Sequence, residues 1–247
     1  MAVGDGYELE ASLKLPLVSI VTVTYNADKF IVDCITSVKK QVYPNLEHVI
    51  IDGGSTDDTA QLIKENGVDF FLSEPDKGIY DAMNKATAYA KGEWILFLGA
   101  DDILLDGFSE LCYKLKNDNC IYYGDCKMGH KTIGGSYDAF RLSKFNICHQ
   151  SIFYPRALFD RYQYNLTYKV RADHDLNIRL YADPALTFKH YPILVANFAA
   201  DGYSSTFYDQ AFFEDKDEII KHNFNSLTYL RYNLRKLRHL IKGKKTN

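Results

Sequence analysis

Short apolar runs alternate with helical periodicity in the first hundred residues of the chain. Four runs of branched and aromatic residues are nearly unbroken, which is typical of strands buried on both faces. These predicted strands lie at 18–24, 46–51, 68–73 and 94–98. Between them, apolar residues recur every three or four positions and predict helices at 30–41, up to about 65, and at 79–90. This order predicts an α/β fold with a Rossmann-like, doubly wound and mostly parallel sheet.

The pattern is weaker after residue 102, where the apolar runs are shorter. Helices are predicted at 104–116 and 173–181, and strands at 120–123, 151–154 and 192–198. The glycine-rich segment 128–137 predicts a hairpin or a mobile loop. Neither an internal repeat nor a linker interrupts the chain. We therefore expect one domain over 1–205 and a C-terminal helical extension over 206–247.

Polar residues stand where three of the predicted strands end. They are Thr24, Tyr25 and Asn26, then Asp52 and Gly53, then Asp101 and Asp102. In a doubly wound sheet, ligands bind at the carboxyl ends of the strands, so these residues are expected to share one edge. Any one group is compatible with ordinary turn chemistry, but the three together favour a binding site.

The adjacent carboxylates Asp101 and Asp102 follow the most apolar of these strands. Neighbouring side chains on an extended backbone point in opposite directions, so the two are not expected to share one role. One can accept hydrogen bonds from a sugar hydroxyl while the other binds Mg²⁺ or Mn²⁺. The alternative is a solvated loop with an aspartate that caps the helix after it.

Composition and motifs exclude several other classes of protein. The five cysteines are odd in number and lack C-x-x-C spacing, which argues against a disulfide framework or a zinc knuckle and for a reducing compartment. Neither G-x-G-x-x-G nor G-x-x-x-x-G-K-[ST] is present, so dinucleotide and P-loop sites lack their signatures. The N-terminus lacks a signal-peptide pattern, and no apolar run approaches the roughly 20 residues that span a bilayer.

The C-terminal segment is basic and amphipathic. It carries eight basic residues from Lys221 onward, and all 32 acidic residues precede it. Leu227, Leu230, Leu234, Leu237 and Ile241 follow helical 3-4-3-4 spacing. Such a helix either packs on the domain with a solvated face or lies on an anionic membrane surface. A nucleic-acid partner is not expected, because no recognition motif accompanies the charge.

The strand-end residues and their flanks resemble those of a family 2 glycosyltransferase with the GT-A fold. Residues 18–26 match the family's opening strand, and 50–57 match its second strand and turn. The segment 74–85 is typical of a branch that resembles O-antigen and colanic acid transferases, and 100–102 stands where the family has its Asp-x-Asp-type metal motif. The resemblance covers about 18–205. It implies a nucleotide-sugar donor, most simply a UDP-sugar, a divalent metal (Mn²⁺ or Mg²⁺), and inversion at the anomeric carbon.

The resemblance also assigns roles to residues. It implies that Asp101 contacts the ribose of the donor and that Asp102 binds the metal at the diphosphate. The rest of the expected nucleotide-sugar site is Thr24, Tyr25, Asn26, Asp52, Gly53, Asp76, Asn84 and Lys85. Many relatives have an aspartate that contacts the base where this chain has Gly53, so the identity of the base is open.

Asp173 is the residue that the resemblance implies as catalytic base. It begins a late predicted helix, in a motif where relatives often have Glu at the position of Ala172. The alternative is that Asp173 only caps its helix. Asp175 lies on another side of that helix and is expected to be structural.

His149 stands where the family often has a histidine on the acceptor side, so it is expected to contact acceptor or diphosphate. The alternative is a buried histidine that is satisfied by its neighbours. A Cys148–His149 nucleophile pair is not expected, because adjacent residues on a strand diverge.

Together these features predict a metal-dependent inverting glycosyltransferase that is peripheral on the cytoplasmic face of the plasma membrane. The expected acceptor is a lipid-linked glycan in surface polysaccharide biosynthesis. A sugar nucleotidyltransferase is one alternative, but it needs a glycine-rich, basic first loop, which residues 25–28 lack. A non-catalytic protein that binds nucleotide-sugars is another, and the presence of Asp101, Asp102 and Asp173 argues against it.

Overall fold

The computed structural model describes residues 15–199 and 207–243, with side chains described as far as 238. Its first half alternates strands and helices as predicted. These elements are β1 (Val18–Thr24), α1 (Ile31–Lys39), β2 (Leu46–Asp52), α2 (Thr59–Asn66), β3 (Phe70–Ser73), α3 (Ile79–Thr87) and β4 (Trp94–Gly99).

In the second half, α4 is shorter than its pattern predicts, and β6 and β9 are longer. The elements are β5 (Ile103–Leu104), α4 (Gly107–Cys112), β6 (Cys120–Met128), β7 (Lys131–Ile133), α5 (Ala139–Leu142), β8 (Ile152–Pro155), α6 (Ala172–Ala182), β9 (Thr187–Asn197), α7 (Gln210–Asn223) and α8 (Ser226–Gly243). The predicted helix at 104–116 begins later because β5 pairs with β9 instead. The glycine-rich segment forms a hairpin, since β7 pairs with β6.

The strands form one sheet in the order β3-β2-β1-β4-β8-β6-β9-β5, with β7 beside β6. The pairs β3–β2, β2–β1, β1–β4 and β6–β9 are parallel. β8 lies antiparallel to both β4 and β6, so this short strand joins the parallel strands β3-β2-β1-β4 to a mixed half in which β6 and β9 are parallel and β7 and β5 pair antiparallel at its edges. The predicted α/β class with a mostly parallel sheet is therefore confirmed.

The register brings the predicted strand ends to one edge. Thr24 at the end of β1 pairs with Asp52 at the end of β2, and Val23 pairs with Gly99 at the end of β4. Asp52 pairs in turn with Ser73 at the end of β3. The loops that follow these strands are consequently neighbours in space.

β4 is apolar throughout because both of its faces are covered. Ile95 and Phe97 pack into one core cluster with residues of α3 and α6. Trp94, Leu96 and Leu98 pack into a second cluster with residues of α1 and α4. The residues of β4 from Trp94 to Leu98 are at most 4% exposed, so the apolar run is explained by burial on both sides of the sheet.

The two C-terminal helices pack on the domain. Phe212 of α7 is fully buried against the rings of Tyr168 and His174. Tyr232 of α8 donates its hydroxyl to Asp217 Oδ1 of α7 at 3.0 Å. The predicted division between residues 205 and 206 falls outside the described residues. Among the helices described, none combines the length and apolar character needed to cross a membrane.

Candidate active site

Asp52 organises the turn that follows β2. The residue is fully buried, and its Oδ2 accepts hydrogen bonds from the backbone N–H groups of Gly54 and Ser55 at 3.2 and 3.0 Å. The hydroxyl of Ser73 donates to the same oxygen at 2.6 Å, and the hydroxyl of Ser55 donates to Oδ1. These contacts fix the loop backbone at the strand ends. A direct contact between Asp52 and a nucleoside stays a prediction.

The loop after β1 presents an aromatic ring at the same edge. Tyr25 is 62% exposed, whereas the hydroxyl of Thr24 is buried and has no hydrogen-bond partner in the described part of the chain. Asn26 adopts a left-handed backbone with φ of 50°, and its Oδ1 accepts from the backbone N–H of Thr56 at 2.9 Å. Asn26 therefore ties the first loop to the second and leaves the Tyr25 ring free to stack on a planar ligand.

Gly53 makes room for Asp76. A Cβ atom on Gly53 would lie 2.5 Å from Asp76 Oδ2, which is closer than Cβ contacts in real proteins. Asp76 Oδ1 accepts from the backbone N–H of Gly78 at 2.7 Å. The structure thus brings a carboxylate from the loop before α3 next to the position where many relatives carry one on the β2 turn.

Asn84 and Lys85 hold the same region together from α3. The Asn84 amide donates to the carbonyl of Tyr164 at 3.0 Å and accepts from its N–H at 2.9 Å. Lys85 Nζ lies 2.9 Å from Glu74 Oε1 and donates to the Pro75 carbonyl at 3.1 Å. The glutamate contact is the main reason why the pKa of Lys85 is raised. Both side chains are occupied by protein partners, so contact of either with a donor stays a prediction.

Asp101 and Asp102 have different surroundings, although the predicted reason is wrong: residues 100 and 101 form a turn, so the backbone here is not extended. Asp102 is 1% exposed, and its Oδ2 accepts from the N–H of Gly99 and the amide of Gln150 at 3.0 and 2.9 Å. Its Oδ1 accepts from the N–H of Ala199 at 3.0 Å. Asp101 is half-buried and makes no side-chain hydrogen bond to another described residue. Burial raises the pKa of Asp101, and the charge of Asp102 raises it further.

The donor set at the end of β4 suits a hard divalent cation. A Cβ atom on Gly99 would lie 2.9 Å from Asp101 Oδ1 and 2.6 Å from Asp102 Oδ2, so both carboxylates converge on the space that this glycine leaves. Across the described residues, no cluster of three or more His, Cys, Asp or Glu side chains forms a complete metal cage. Mg²⁺ typically binds one or two carboxylates and substrate phosphates, which is what this arrangement offers.

Asp173 lies at the first turn of α6 and is held by three side chains. The Tyr80 hydroxyl donates to Oδ1 at 2.9 Å, and the Asn146 amide donates to Oδ2 at 2.7 Å. His149 Nδ1 lies 3.5 Å from Oδ2. Asp173 remains 9% exposed. A carboxylate that is oriented by several partners but still reaches the surface is placed to accept a proton from a bound hydroxyl.

Asp173 and His149 shift each other's pKa in opposite directions. Burial alone would raise the pKa of Asp173, but contact with His149 and the hydrogen bond from Tyr80 lower it below its ordinary value. Burial alone would lower the pKa of His149, but Asp173 raises it, with smaller contributions from Asp102 and Asp101. His149 therefore lies within electrostatic range of all three carboxylates and connects the predicted base to the strand-end aspartates.

Asp175 pairs with an arginine of its own helix, and its structural role stays a prediction. Its Oδ2 accepts from Arg179 Nε at 2.9 Å one turn along the same helix. Asp173 forms no ion pair within its own helix, but its Oδ1 also accepts from the backbone N–H of His174 at 2.8 Å in the first turn of α6. Asp173 and Asp175 therefore have different hydrogen-bond partners, although they lie two residues apart on one helix.

Sequence reasoning did not identify three residues that position the site. Tyr80 and Asn146 hold Asp173, and Gln150 holds Asp102. The Asn146 amide oxygen accepts in turn from Asn177 at 2.9 Å, and Asn177 accepts from Tyr154 at 2.8 Å. The partners of these bonds are far apart in the chain, so neither periodicity nor local spacing could pair them. The available signal was a polar residue inside an otherwise apolar pattern, as with Asn177 in α6.

Comparisons with known proteins agree with this geometry. A family model described as "Glycosyl transferase family 2" matches residues 19–176. A "PGL/p-HBAD biosynthesis glycosyltransferase" of Mycobacterium bovis (strain BCG / Pasteur 1173P2) is 38% identical over 211 residues, which cover 80% of this chain and 82% of the relative.

Two solved structures share the fold at low sequence identity. S. aureus TarS 1-349 in complex with UDP has a TM-score of 0.65 at 18% identity, and the match covers 84% of this chain and 65% of TarS 1-349. The mannosyltransferase PcManGT from Pyrobaculum calidifontis, in complex with GDP-Man and Mn²⁺, has a TM-score of 0.60 at 18% identity, and the match covers 76% of this chain and 58% of PcManGT. The curled, mostly parallel sheet is therefore that of GT-A enzymes. With the family model matched over most of the domain and a close curated relative, the chain belongs to glycosyl transferase family 2.

Proposed function

We propose that this glycosyltransferase moves a sugar from a UDP-sugar to a hydroxyl of a glycan acceptor with inversion at the anomeric carbon. The observation that carries the proposal is the partly accessible Asp173 carboxylate, oriented by Tyr80, Asn146 and His149 beside the strand-end aspartates. Inversion needs one base on the face opposite the leaving nucleotide. Asp173 is the one carboxylate in this constellation that is both oriented and reachable.

In the transfer step, the acceptor oxygen forms a bond to the anomeric carbon while the bond from that carbon to the diphosphate breaks. The acceptor proton passes to Asp173, and the nucleoside diphosphate leaves with the electron pair of the broken bond. The lowered pKa of Asp173 keeps it ionised, and an ionised carboxylate can take the proton late, as the new bond forms. His149 steadies the negative charge of Asp173 before transfer.

A divalent cation is proposed at the end of β4, with Asp101 as its protein ligand. The side chain of Asp101 makes no hydrogen bond to another residue in the described part of the chain, whereas both oxygens of Asp102 accept hydrogen bonds from the protein. When bound, Mn²⁺ or Mg²⁺ supplies charge neutralisation for the leaving diphosphate. The resemblance implied Asp102 as the metal ligand. We propose Asp101 instead, with Asp102 fixing the loop.

The exposed ring of Tyr25 is proposed to stack on the base of the donor, and Asp76 to contact it in place of the carboxylate that Gly53 lacks. A uridine donor is supported by the UDP complex of the structural relative TarS, although PcManGT was solved with GDP-Man. Asn84 and Lys85 support this pocket from behind by fixing Tyr164 and the loop at Pro75.

The proposed acceptor is a lipid-linked glycan at the cytoplasmic face of the plasma membrane, in the synthesis of a surface polysaccharide. The mycobacterial relative is named for PGL/p-HBAD biosynthesis, which places a similar enzyme in the assembly of a glycoconjugate. A sugar nucleotidyltransferase is less well supported, because the first loop carries Asn26 and an exposed Tyr25 where a triphosphate would need cations.

The test compares Asp173→Asn with Asp175→Asn, a matched change on the same helix. Release of UDP from a panel of UDP-sugars is measured with Mn²⁺ and glycoside acceptors, and donor affinity is measured by titration. We expect Asp173→Asn to retain donor affinity and to lose roughly 10²–10⁴-fold in transfer, the usual range for a general base. Asp175→Asn is expected to retain transfer. Loss of donor affinity with undiminished transfer would make Asp173 a binding residue instead.

A further inference from the structure

Helix α8 packs on the domain with its polar and aromatic side and leaves its leucines outside. Thr228 and Tyr232 are 7% and 9% exposed. The four leucines of the predicted stripe that fall within the described side chains are Leu227, Leu230, Leu234 and Leu237, at 65%, 55%, 47% and 53% exposed, while Ile241 lies outside them. A continuous row of exposed leucines on one helix face is the kind of surface that marks an interaction site.

Cations and aromatic rings from α5 extend this surface. Lys144 Nζ lies 4.0 Å from the centroid of the Phe140 ring, and Arg231 of α8 lies 4.2 Å from the same ring. Phe145 is 54% exposed and lies within reach of Lys144 and Arg235. An open groove of about 530 Å³ is lined by residues of this segment, including Phe140, Lys144 and Phe145. We call the leucine row together with these residues the α5–α8 face.

The positive charge of the α5–α8 face is only partly offset by the protein, since Asp138 lies beside the cations of the groove. Among the described side chains, Arg141, Lys144, Arg231 and Arg235 form no salt bridge, and the acidic residue that lines the groove is Asp138. Arg141 donates instead to the carbonyls of Ser136 and Gly134 at 2.8 and 2.5 Å. Burial lowers the pKa of Lys144, the nearby charges of Arg235 and Arg231 lower it further, and the charge of Asp138 partly offsets them. The cations are therefore close enough to repel one another and would be stabilised by anions.

We propose that the α5–α8 face docks on an anionic lipid bilayer, with the exposed leucines and Phe145 in the interfacial region and the cations on lipid phosphates. Apolar residues flanked by Lys and Arg are the composition of interfacial helices. Basic residues near an anionic bilayer each gain electrostatic attraction. A second copy of the chain is a less suitable partner for this face, because an isologous contact would bring the cations of both copies together.

The face is directly connected to the acceptor side of the site. The Tyr137 hydroxyl, on the wall of the groove, donates to the Asn146 carbonyl at 2.8 Å, and the Asn146 amide holds Asp173. Docking would therefore bring the catalytic carboxylate close to the bilayer, where a lipid-linked acceptor resides. The binding itself goes beyond the proposed function, since it requires neither donor nor transfer.

The experiment is co-sedimentation of the full chain with vesicles of phosphatidylcholine alone and with one-quarter phosphatidylglycerol, at low and high salt. One variant removes apolar contacts (Leu230→Gln with Leu234→Gln) and another removes charges (Lys144→Gln with Arg231→Gln). Matched controls change exposed residues elsewhere: Val42→Gln with Leu166→Gln, and Lys114→Gln with Lys116→Gln. Circular dichroism and UDP affinity serve as checks that the fold and the donor site are intact.

We expect binding to anionic vesicles that is at least tenfold stronger than to neutral ones and weakens with salt. Each test variant should lose roughly tenfold or more in binding, while both control variants bind like the original chain. Equal binding to neutral and anionic vesicles, or unchanged binding by the test variants, would overturn the proposal. A dimer in sedimentation velocity that the leucine variant dissociates, without vesicle binding, would assign the face to a second copy instead.

Discussion

At the scale of single residues, Asp101 and Asp102 show how one peptide bond separates two environments. Both oxygens of Asp102 accept hydrogen bonds from N–H donors, whereas the side chain of Asp101 has no such donor among the described residues. The sequence predicted different roles on the premise of an extended backbone, but the chain turns here and both carboxylates point toward Gly99. Nor could the sequence tell which carboxylate is buried. That depends on Gln150 and Ala199, which lie 48 and 97 positions further along the chain.

We predict that Asp101→Asn and Asp102→Asn fail in different ways. An asparagine at position 102 would turn its NH₂ group toward an N–H donor that in the original protein bonds to a carboxylate oxygen. Asp102→Asn should therefore lower the free energy of unfolding by about 1–3 kcal/mol. Asp101→Asn should leave stability nearly unchanged and abolish the stabilisation by UDP with Mn²⁺. Thermal unfolding with and without these ligands measures both. The assignment is reversed if Asp102→Asn retains its melting temperature and loses the response to Mn²⁺.

At the scale of elements, the first half of the fold was predictable because its strands are covered on both faces. In a chain that alternates strands and helices, the unbroken apolar run at 94–98 predicts a buried strand, and β4 lies there. β9 was predicted only in its last part, because the exposed Thr187 and Lys189 interrupt the apolar pattern of its first part. Likewise, the helix predicted at 104–116 spans only Gly107–Cys112 in the structure, because Ile103 and Leu104 pair with β9 instead.

The packing of α4 on β9 depends on Gly107. A Cβ atom there would lie 2.1 Å from the Leu194 carbonyl oxygen and 2.7 Å from Ile193 Cγ2, so strand backbone would have to move. We predict that Gly107→Ala lowers the free energy of unfolding by about 1–3 kcal/mol, as overpacking does. Gly53→Ala is the contrasting variant, because its clash is with the mobile end of the Asp76 side chain. Urea unfolding of both measures the difference, and equal losses would contradict the packing account.

At the scale of the whole molecule, two buried histidines make the fold sensitive to acid. His48 of β2 and His174 of α6 are each 3% exposed, and burial lowers the pKa of both from 6.5 to about 4. Between pH 6.5 and 4 the unfolded chain binds protons that the native protein does not, so stability falls as the pH falls through this window. Above pH 6.5 both histidines are neutral in either state and contribute no pH dependence.

We predict that the free energy of unfolding drops by up to about 3 kcal/mol for each of these histidines between neutral pH and pH 4. Urea unfolding at several pH values measures the slope. The variants His48→Gln and His174→Gln are each expected to be less stable at neutral pH but to lose less on acidification. A slope that neither variant reduces would assign the acid sensitivity to carboxylates.

The joining strand β8 has a further consequence during synthesis on the ribosome. β4 is complete at Gly99, but its partner on the open side begins only at Ile152. At 5–20 residues per second, the roughly 50 intervening residues take about 3–10 s to emerge. Throughout that interval the residues of β4 that later pair with β8, Trp94 and Ile95, present unpaired backbone N–H and C=O groups, which is a template for association with other chains. The newborn protein is thus most vulnerable to aggregation between the completion of its first half and the arrival of four residues, Ile152–Pro155.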